Sequence, residues 1–282
     1  FILFSMSQPR PIRQIVTGVS AVDGAGVRLT RVFGAHETAD FDPFLMLDAF
    51  DSSEPSDYTR GFPWHPHRGI ETVTYLIDGD IEHGDSLGNK GSITEGDAQW
   101  MTAGSGIIHQ EMPQATKRMW GAQLWINLPQ KDKMVAPAYG DIKKEHIPVV
   151  ETDDVTVRVL SGRYKTTPGA FAGAHVDATY LDVEMTPDGA WAMPTDPHST
   201  VFLYLLSGAL SIGATRVEAK HAVLFAEGDE VALRSGAEGV RFLFLSALPL
   251  REPIAWGGPI VMNTQEELAA AFRELEEGTF LK

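Results

Sequence analysis

Two short patterns in the first half of the chain combine side chains that could bind a metal ion. They are His65-Pro66-His67 and His109-Gln110-Glu111. In an extended strand, residues i and i+2 project to the same side, about 6.6 Å apart along the chain. Two such pairs on neighbouring strands facing one interior would present three imidazoles and one carboxylate to a single ion. This mixed nitrogen and oxygen set, with positions left for further ligands, suits a redox-capable divalent metal.

The composition limits the classes of ligand and partner. The chain has 282 residues, no cysteine and a net charge of −15. Disulfides, thiolate ligands and thiol nucleophiles are therefore excluded, and any metal must be held by His, Asp or Glu. An acidic surface repels nucleic-acid phosphates and anionic lipid, so we expect neither direct nucleic-acid binding nor membrane binding.

No part of the sequence approaches the roughly 18–20 apolar residues of a membrane span, and a cytoplasmic protein is the expectation. Residues 1–5, which read Phe-Ile-Leu-Phe-Ser, precede Met6. They are too short for the apolar region of a signal peptide, which has about 7–15 residues. We expect Met6 to be the natural start.

Strand-length apolar segments separated by Gly, Asp and Pro dominate the chain from Ile15 to about Pro249, which predicts an all-β fold. A weak internal repeat supports two related barrels. Thr72–Gly79 resembles Val201–Gly208, and each is followed by a short strand, a polar turn and the triplet Glu-Gly-Asp. Self-similarity over so long a period indicates two copies of one β-barrel.

The boundary between the barrels is expected in the polar, proline-containing stretch 129–148. One helix is well indicated, at the C-terminus. Thr264 and Glu267 have the spacing of a capping box, and Gly278 stands where a glycine often ends a helix. We expect this helix to pack on the outside of a barrel.

Strand periodicity also bears on a further carboxylate. If the strand that begins near His65 is unbroken, Glu71 faces the same side as His65 and His67. His83 is expected to be an exposed or hydrogen-bonded histidine outside the site. In the second half, the histidines show neither a His-x-His nor a His-x-Glu pattern, so we expect the second barrel to lack a metal.

The spacing of Gly61–Glu71 followed by Gly96–His109 resembles the paired motifs of the cupin superfamily. Four longer sequence segments resemble the pirin family specifically, and the similarity covers nearly the whole chain past Pro9. These segments are Asp42–Asp48, Gly61–Gly69, Met101–Pro113 and Gln123–Pro129.

The resemblance implies two tandem cupin barrels, jelly-roll-like and all-β, with a short C-terminal helix. We expect a metal-binding barrel over residues 8–137 and a barrel without metal over 138–282. Pirin-like proteins hold one iron(II) ion, which other divalent transition metals could replace. The ligands implied here are His65, His67, His109 and Glu111. The cupin-wide pattern favours Glu71 as the carboxylate ligand instead; the closer family leaves Glu71 as a neighbour of the ligands.

Pirin-like proteins are associated with quercetin 2,3-dioxygenase activity, in which a flavonol ring is opened by O2. The resemblance therefore implies a small aromatic substrate, with Glu111 also acting as the base that removes the flavonol hydroxyl proton. Phe62 and Trp64 stand beside the ligands and are candidates for lining the substrate pocket.

The alternative implied by the resemblance is a redox-sensing regulatory protein, in which the oxidation state of iron controls docking on a protein partner. Such a co-regulator would be nuclear in a eukaryote. A non-oxidative isomerase or sugar-binding cupin ranks last, because the residues near the ligands are mainly apolar and aromatic. A bicupin supplies its own barrel–barrel interface, so we expect a monomer.

Overall fold

The structure, a computed structural model, describes residues 7–173 and 175–282. The expectations about Phe1–Ser5 and Met6 fall outside the described residues. Within those ranges, no helix has the length and apolar character needed to cross a membrane.

The elements follow one another in chain order. The first half contains β1 Ile12–Thr17, β2 Val19–Asp23, β3 Val27–Phe33, α1 Thr38–Phe41, β4 Phe44–Ser52, β5 Phe62–His67, β6 Ile70–Asp78, β7 Asp80–Asp85, β8 Lys90–Thr94, β9 Ala98–Thr102, β10 Ile107–Pro113, β11 Met119–Asn127 and β12 Ala138–Ile142. The second half contains β13 Val149–Glu151, β14 Val155–Ser161, β15 Arg163–Tyr164, β16 Thr167–Pro168, β17 Thr179–Met185, β18 Ala190–Pro194, β19 Thr200–Ile212, β20 Thr215–Glu218, β21 His221–Phe225, β22 Glu230–Ala247, β23 Ala255–Gly257, β24 Ile260–Met262 and α2 Gln265–Glu277. Short 3₁₀ turns lie at Pro55–Asp57, Gln130–Asp132 and Lys144–His146. The predicted all-β fold with a short C-terminal helix is confirmed.

The chain forms two compact units, here called the first and second barrels. The first barrel comprises Val19–His146 with Leu250–Lys282, and the second comprises residues 7–18 with Ile147–Pro249. This division differs from the expected contiguous ranges 8–137 and 138–282 at both ends of the chain. The physical reason is pairing: β1 forms a ladder with β21, and the C-terminal segment returns to pair with Arg68, between β5 and β6.

The first barrel consists of a four-stranded sheet, in the order β5-β10-β7-β8, and a seven-stranded sheet, in the order β12-β9-β6-β11-β4-β3-β2. Hydrogen bonds from the seven-stranded sheet reach Glu111 on β10, so the interior lies between the two sheets. One apolar cluster, which includes Leu76, Ile81 and Met119, fills one end of this interior. The other end carries the polar side chains described below.

The second barrel is built on one nine-stranded sheet, whose main path is β1-β21-β19-β22-β17-β14-β13. Its core is a single large apolar cluster that includes Trp191, Phe242 and Phe244. The internal repeat has a structural counterpart. In each barrel, the strand that follows Glu-Gly-Asp pairs with the repeat strand: β9 with β6, and β22 with β19.

The C-terminal helix has the predicted caps. The Thr264 side chain accepts from the backbone N–H of Glu267, the Glu267 side chain accepts from the backbone of Thr264, and Gly278 ends the helix at a φ of 72°. Leu268 and Ala271 are buried against the hairpin formed by β23 and β24, within the first barrel. The helix therefore secures the hairpin that precedes it.

Candidate metal centre

Three histidines converge at one end of the first barrel's interior. β5 and β10 are antiparallel neighbours with His65 opposite His109, so the two sequence patterns are joined by one ladder. The ring centroid of His109 lies 4.4 Å from that of His65 and 5.0 Å from that of His67. One nitrogen from each of the three rings lies within 4.8 Å of the others. The structure thus brings together the three imidazoles that the spacing predicts.

The tautomers of two of these rings follow from their hydrogen bonds. His65 Nδ1 lies 2.8 Å from the Pro63 carbonyl oxygen, and His67 Nδ1 lies 3.0 Å from the Pro259 carbonyl oxygen. A carbonyl oxygen only accepts, so each Nδ1 carries the proton and each Nε2 of a neutral ring presents a lone pair. These two Nε2 atoms lie 3.0 Å apart. Two lone pairs facing each other at that distance repel unless a proton or a metal ion lies between the rings.

His109 completes the set. It is 1% exposed, and both of its ring nitrogens are buried without a hydrogen-bond partner among the described residues. Burial lowers the pKa of His67 to about 3, helped by the nearby His65, and lowers the pKa of His109 well below its usual value. Burial of His67 and His109 thus favours neutral imidazole, which is the form that binds a metal. The donor set therefore fits a divalent transition metal.

Glu111 lies beside the imidazoles but outside that group of three. Its Oε1 accepts from Gln99 Nε2 and, at 3.1 Å, from Thr74 Oγ1, while its Oε2 accepts from Gln123 Nε2 at 2.8 Å. Gln99 in turn accepts from the Tyr139 hydroxyl at 3.1 Å. A carboxylate has about four acceptor positions, so these donors orient Glu111 and leave a position on Oε2.

Glu71 does not take the place that strand parity predicts. β5 ends at His67 and β6 begins at Ile70, with Gly69 between them at a φ of 77°, so the strand is broken and the alternation restarts. Glu71 is fully buried and accepts from Thr102 Oγ1 at 2.7 Å. It has the opposite parity to Thr74, which faces Glu111. The structure therefore turns Glu71 away from the imidazoles.

His83 is closer to the centre than expected. It is buried, its Nε2 donates to Asp85 Oδ2 at 3.0 Å, and its ring stacks on Tyr139 with centroids 3.9 Å apart. Its ring centroid lies 5.5 Å from that of His109. The pairing of β7 with β10 places His83 opposite Glu111. The spacing of His83 and Asp85 is the sequence signal that could have indicated this position.

A cavity of about 690 Å³ opens onto the centre. His65, His67 and Glu111 line it, together with the aromatic side chains of Phe62 and two tryptophans, Trp125 and Trp256. Trp64, the other pocket candidate, is 55% exposed. It alternates with His65 along β5 and so points to the outer face of the sheet. Of the two residues expected to line the substrate pocket, Phe62 is among the residues that line this cavity.

Three charged residues that line the cavity are not indicated by any sequence pattern. Arg31 forms a two-pronged ion pair with Asp48, at 2.9 Å and 2.8 Å, and a further bond to Asp23 at 2.8 Å. All three line the cavity. The hydrogen bond with Asp48 raises the pKa of Arg31, so its charge is fixed. No motif singles these residues out, since charged side chains on strands usually face solvent.

The comparisons with known proteins agree with this architecture. A model described as Pirin matches residues 26–126, and one described as the Pirin C-terminal cupin domain matches residues 180–281. The second match includes residues 250–281, which the structure places in the first barrel.

Relatives extend over nearly the full length. A pirin-like protein from Caulobacter vibrioides is 44% identical, covering 96% of this chain and 99% of the relative. A Pseudomonas aeruginosa protein provisionally named quercetin 2,3-dioxygenase is 43% identical, covering 97% of this chain and 99% of the relative. The crystal structure of quercetin 2,3-dioxygenase from Acinetobacter baumannii is similar with a TM-score of 0.87 and 31% identity, over 96% of this chain and 98% of that one. Together with the two cupin domains, these similarities show that the chain belongs to the pirin family.

Proposed function

We propose that the first barrel binds one divalent metal ion through His65, His67, His109 and Glu111, and that the protein is a dioxygenase of the quercetin 2,3-dioxygenase type. The observation that carries the proposal is the pair of Nε2 lone pairs, 3.0 Å apart, on the wall of an aromatic cavity. Iron(II) is proposed from the family resemblance. Ligand type alone would favour copper or zinc by affinity.

The two carbonyl contacts support ligand binding by His65 and His67. A ligating histidine usually donates its other ring N–H to a backbone carbonyl or a carboxylate, which fixes the tautomer and the ring orientation. Pro63 and Pro259 supply these carbonyls. Three imidazoles and one carboxylate would leave about two positions of an octahedral ion open. When bound, the metal would act as a Lewis acid and as a template for the substrate oxygens and O2.

Glu111 is the group proposed to move a proton. Its Oε2 accepts one hydrogen bond, from Gln123, and both face the cavity. A flavonol hydroxyl placed at the centre would transfer its proton to this carboxylate, which would become neutral while the substrate became an anion. Gln99 and Thr74 hold the other oxygen and keep the carboxylate directed into the cavity.

The cavity fits a planar aromatic substrate in size and lining. Small-molecule pockets typically have volumes of about 300–1,000 Å³ and mostly apolar walls with a few polar groups. Here Phe62, Trp125 and Trp256 supply apolar surface, and the polar groups cluster at the imidazole end. The names of the Pseudomonas and Acinetobacter relatives support a flavonol as the substrate class.

The test is quercetin turnover by protein loaded anaerobically with iron(II) to full occupancy and then exposed to O2. We expect loss of quercetin with release of carbon monoxide, at a rate well above that of free iron at the same concentration. His67→Ala should lose both metal and activity. Activity in His67→Ala without metal would place the chemistry elsewhere.

No quercetin loss by the fully loaded protein would refute the enzymatic proposal. The regulatory alternative would then be tested by comparing the iron(II), iron(III) and metal-free forms for capture of a protein partner. Equal binding by all three forms would exclude a redox switch.

A further inference from the structure

The hairpin formed by β23 and β24, residues 255–262, is fixed against the metal centre. Its Pro259 carbonyl oxygen accepts from His67 Nδ1 at 3.0 Å. Its Val261 N–H donates to the Arg68 carbonyl at 3.1 Å, and Ile260 forms a bridge with Arg68. A segment about 190 residues away in sequence thus contacts the end of β5 that carries the imidazoles.

Trp256 is the side chain that this hairpin contributes to the cavity wall. Its indole stacks on Trp125 with ring centroids 5.9 Å apart and planes 29° apart. Its Nε1 donates to the Gly258 carbonyl at 2.8 Å, which holds the ring in one orientation. Trp125 lies edge-on to His67 at 4.9 Å, with the planes at 87°. The two tryptophans therefore form a continuous aromatic surface that starts at the imidazoles.

The two rings differ in accessibility. Trp125 is 9% exposed and is part of an apolar cluster, whereas Trp256 is partly buried and packs against the outside of that cluster. Both line the cavity. A ligand whose polar end reached the imidazoles would extend along Trp125 and meet the face of Trp256 with its remaining rings.

We propose that Trp256 is the specificity-determining residue of this site, selecting planar, fully conjugated aromatic substrates by stacking. The inference rests on the proposed function and names the substrate class more narrowly. Flavonols are planar across their fused rings, whereas dihydroflavonols carry a hydroxyl and a keto group at the same positions on a saturated, puckered ring. The flavonol hydroxyl is an enol and chelates a metal better than the alcohol of the dihydroflavonol, so the comparison that isolates stacking on Trp256 is made in the metal-free protein.

The experiment measures affinity and turnover separately. Isothermal titration calorimetry on the metal-free and metal-loaded protein gives the Kd for quercetin and for the matching dihydroflavonol, taxifolin. The variants are Trp256→Ala, Trp256→Phe and Trp256→Leu. Leucine keeps an apolar wall without an aromatic face, and Phe keeps a smaller face. Trp120→Ala is the matched control, since Trp120 stacks on Arg118 and does not line the cavity.

Loss of one stacking partner should weaken quercetin binding roughly three- to tenfold. We expect this for Trp256→Ala and Trp256→Leu, with Phe restoring most of the affinity and Trp120→Ala behaving as wild type. Taxifolin binding should change little, so the preference of the metal-free protein for quercetin should fall toward unity. The KM for quercetin should rise, while kcat and the metal content stay unchanged.

Equal quercetin affinity in wild type and Trp256→Leu would overturn the inference, as would a wild type that binds quercetin and taxifolin equally. If Trp256→Ala loses metal because the hairpin is disturbed, Trp256→Phe and Trp256→Leu still decide the question. A wild type that binds quercetin selectively through Trp256 but does not turn it over would refute the proposed function and support this inference.

Discussion

The Nε2 atoms of His65 and His67 lie 3.0 Å apart, while the Nδ1 of each ring donates to a proline carbonyl. Because the Nδ1 proton of each neutral ring is donated to a carbonyl oxygen, the lone pairs of the two Nε2 atoms face each other. Protonating His67 would relieve this contact, but burial opposes the charged ring and holds its pKa near 3. A metal ion held by both Nε2 atoms would relieve the contact without protonating either ring.

Metal binding should therefore stabilise the fold strongly. At a free metal concentration of 100 times Kd, a ligand that binds only the native state adds about 2.7 kcal/mol to the free energy of unfolding. We expect the melting temperature of the metal-free protein to rise on anaerobic addition of iron(II). His109→Ala is the control, and its melting temperature should rise far less. An equal rise in both proteins would show that the metal binds elsewhere.

The buried histidines also predict a pH dependence of the metal-free protein. The pKa of His67 is about 3 in the folded state, against an ordinary value of 6.5. Between these values the unfolded chain binds the proton and the folded chain does not. The contribution of His67 to the free energy of unfolding is therefore complete above pH 6.5. It falls as the pH is lowered toward 3, by up to about 1.4 kcal/mol per pH unit.

The measurement is urea unfolding of metal-free wild type and His67→Gln between pH 4 and 7.5. Other groups titrate in both proteins, so the difference between the two curves isolates His67. The wild-type free energy of unfolding should fall more steeply with acid. Parallel curves would mean that the imidazole is not held neutral.

The contacts of Glu111 give a third prediction. Gln123 Nε2 donates to Glu111 Oε2 at 2.8 Å and to Thr74 Oγ1 at 2.9 Å. Gln123→Leu keeps the volume but removes the donor from a buried carboxylate. We expect a loss of about 1–3 kcal/mol in the free energy of unfolding of the metal-free protein. In a double-mutant cycle with Glu111→Leu, much of that loss should disappear; additive losses would mean that the two residues do not interact.

The strand period explains what could be predicted of the site. His65, His67 and His109 each sit at a two-residue spacing from a partner in the patterns, and one ladder between β5 and β10 suffices to bring them together. The same reasoning does not extend to Glu71, because it requires an unbroken strand from His65 and the strand is interrupted after His67. Gly69 was visible in the sequence as the residue most able to break it.

The C-terminal hairpin could not be predicted from local sequence. Pro259 and Trp256 reach the centre only because residues 250–282 return to the first barrel. Nothing in their spacing relates them to His67. Long-range packing of this kind depends on the whole fold, whereas caps such as Thr264 and Gly278 depend on one turn of chain and were predicted correctly.

The break between β5 and β6 supplies the last prediction. Gly69 has a φ of 77°, and a Cβ added there would lie 2.0 Å from the Val261 carbonyl oxygen. Gly88 has a similar φ of 88° but has nothing within 4 Å of an added Cβ. Gly88→Ala should therefore lower the free energy of unfolding by only about 1–2 kcal/mol, the cost of a left-handed backbone conformation for a residue with a side chain.

Gly69→Ala adds a clash with the Val261 backbone, and we expect a loss above about 4 kcal/mol in the free energy of unfolding, in the exceptional range for one substitution. Relief of the clash would push Val261 away, and with it the Pro259 carbonyl that orients His67. Metal affinity should fall in Gly69→Ala and stay normal in Gly88→Ala, as measured by titration of each purified variant. Similar stability and similar metal affinity in the two variants would show that the hairpin does not hold the centre in place.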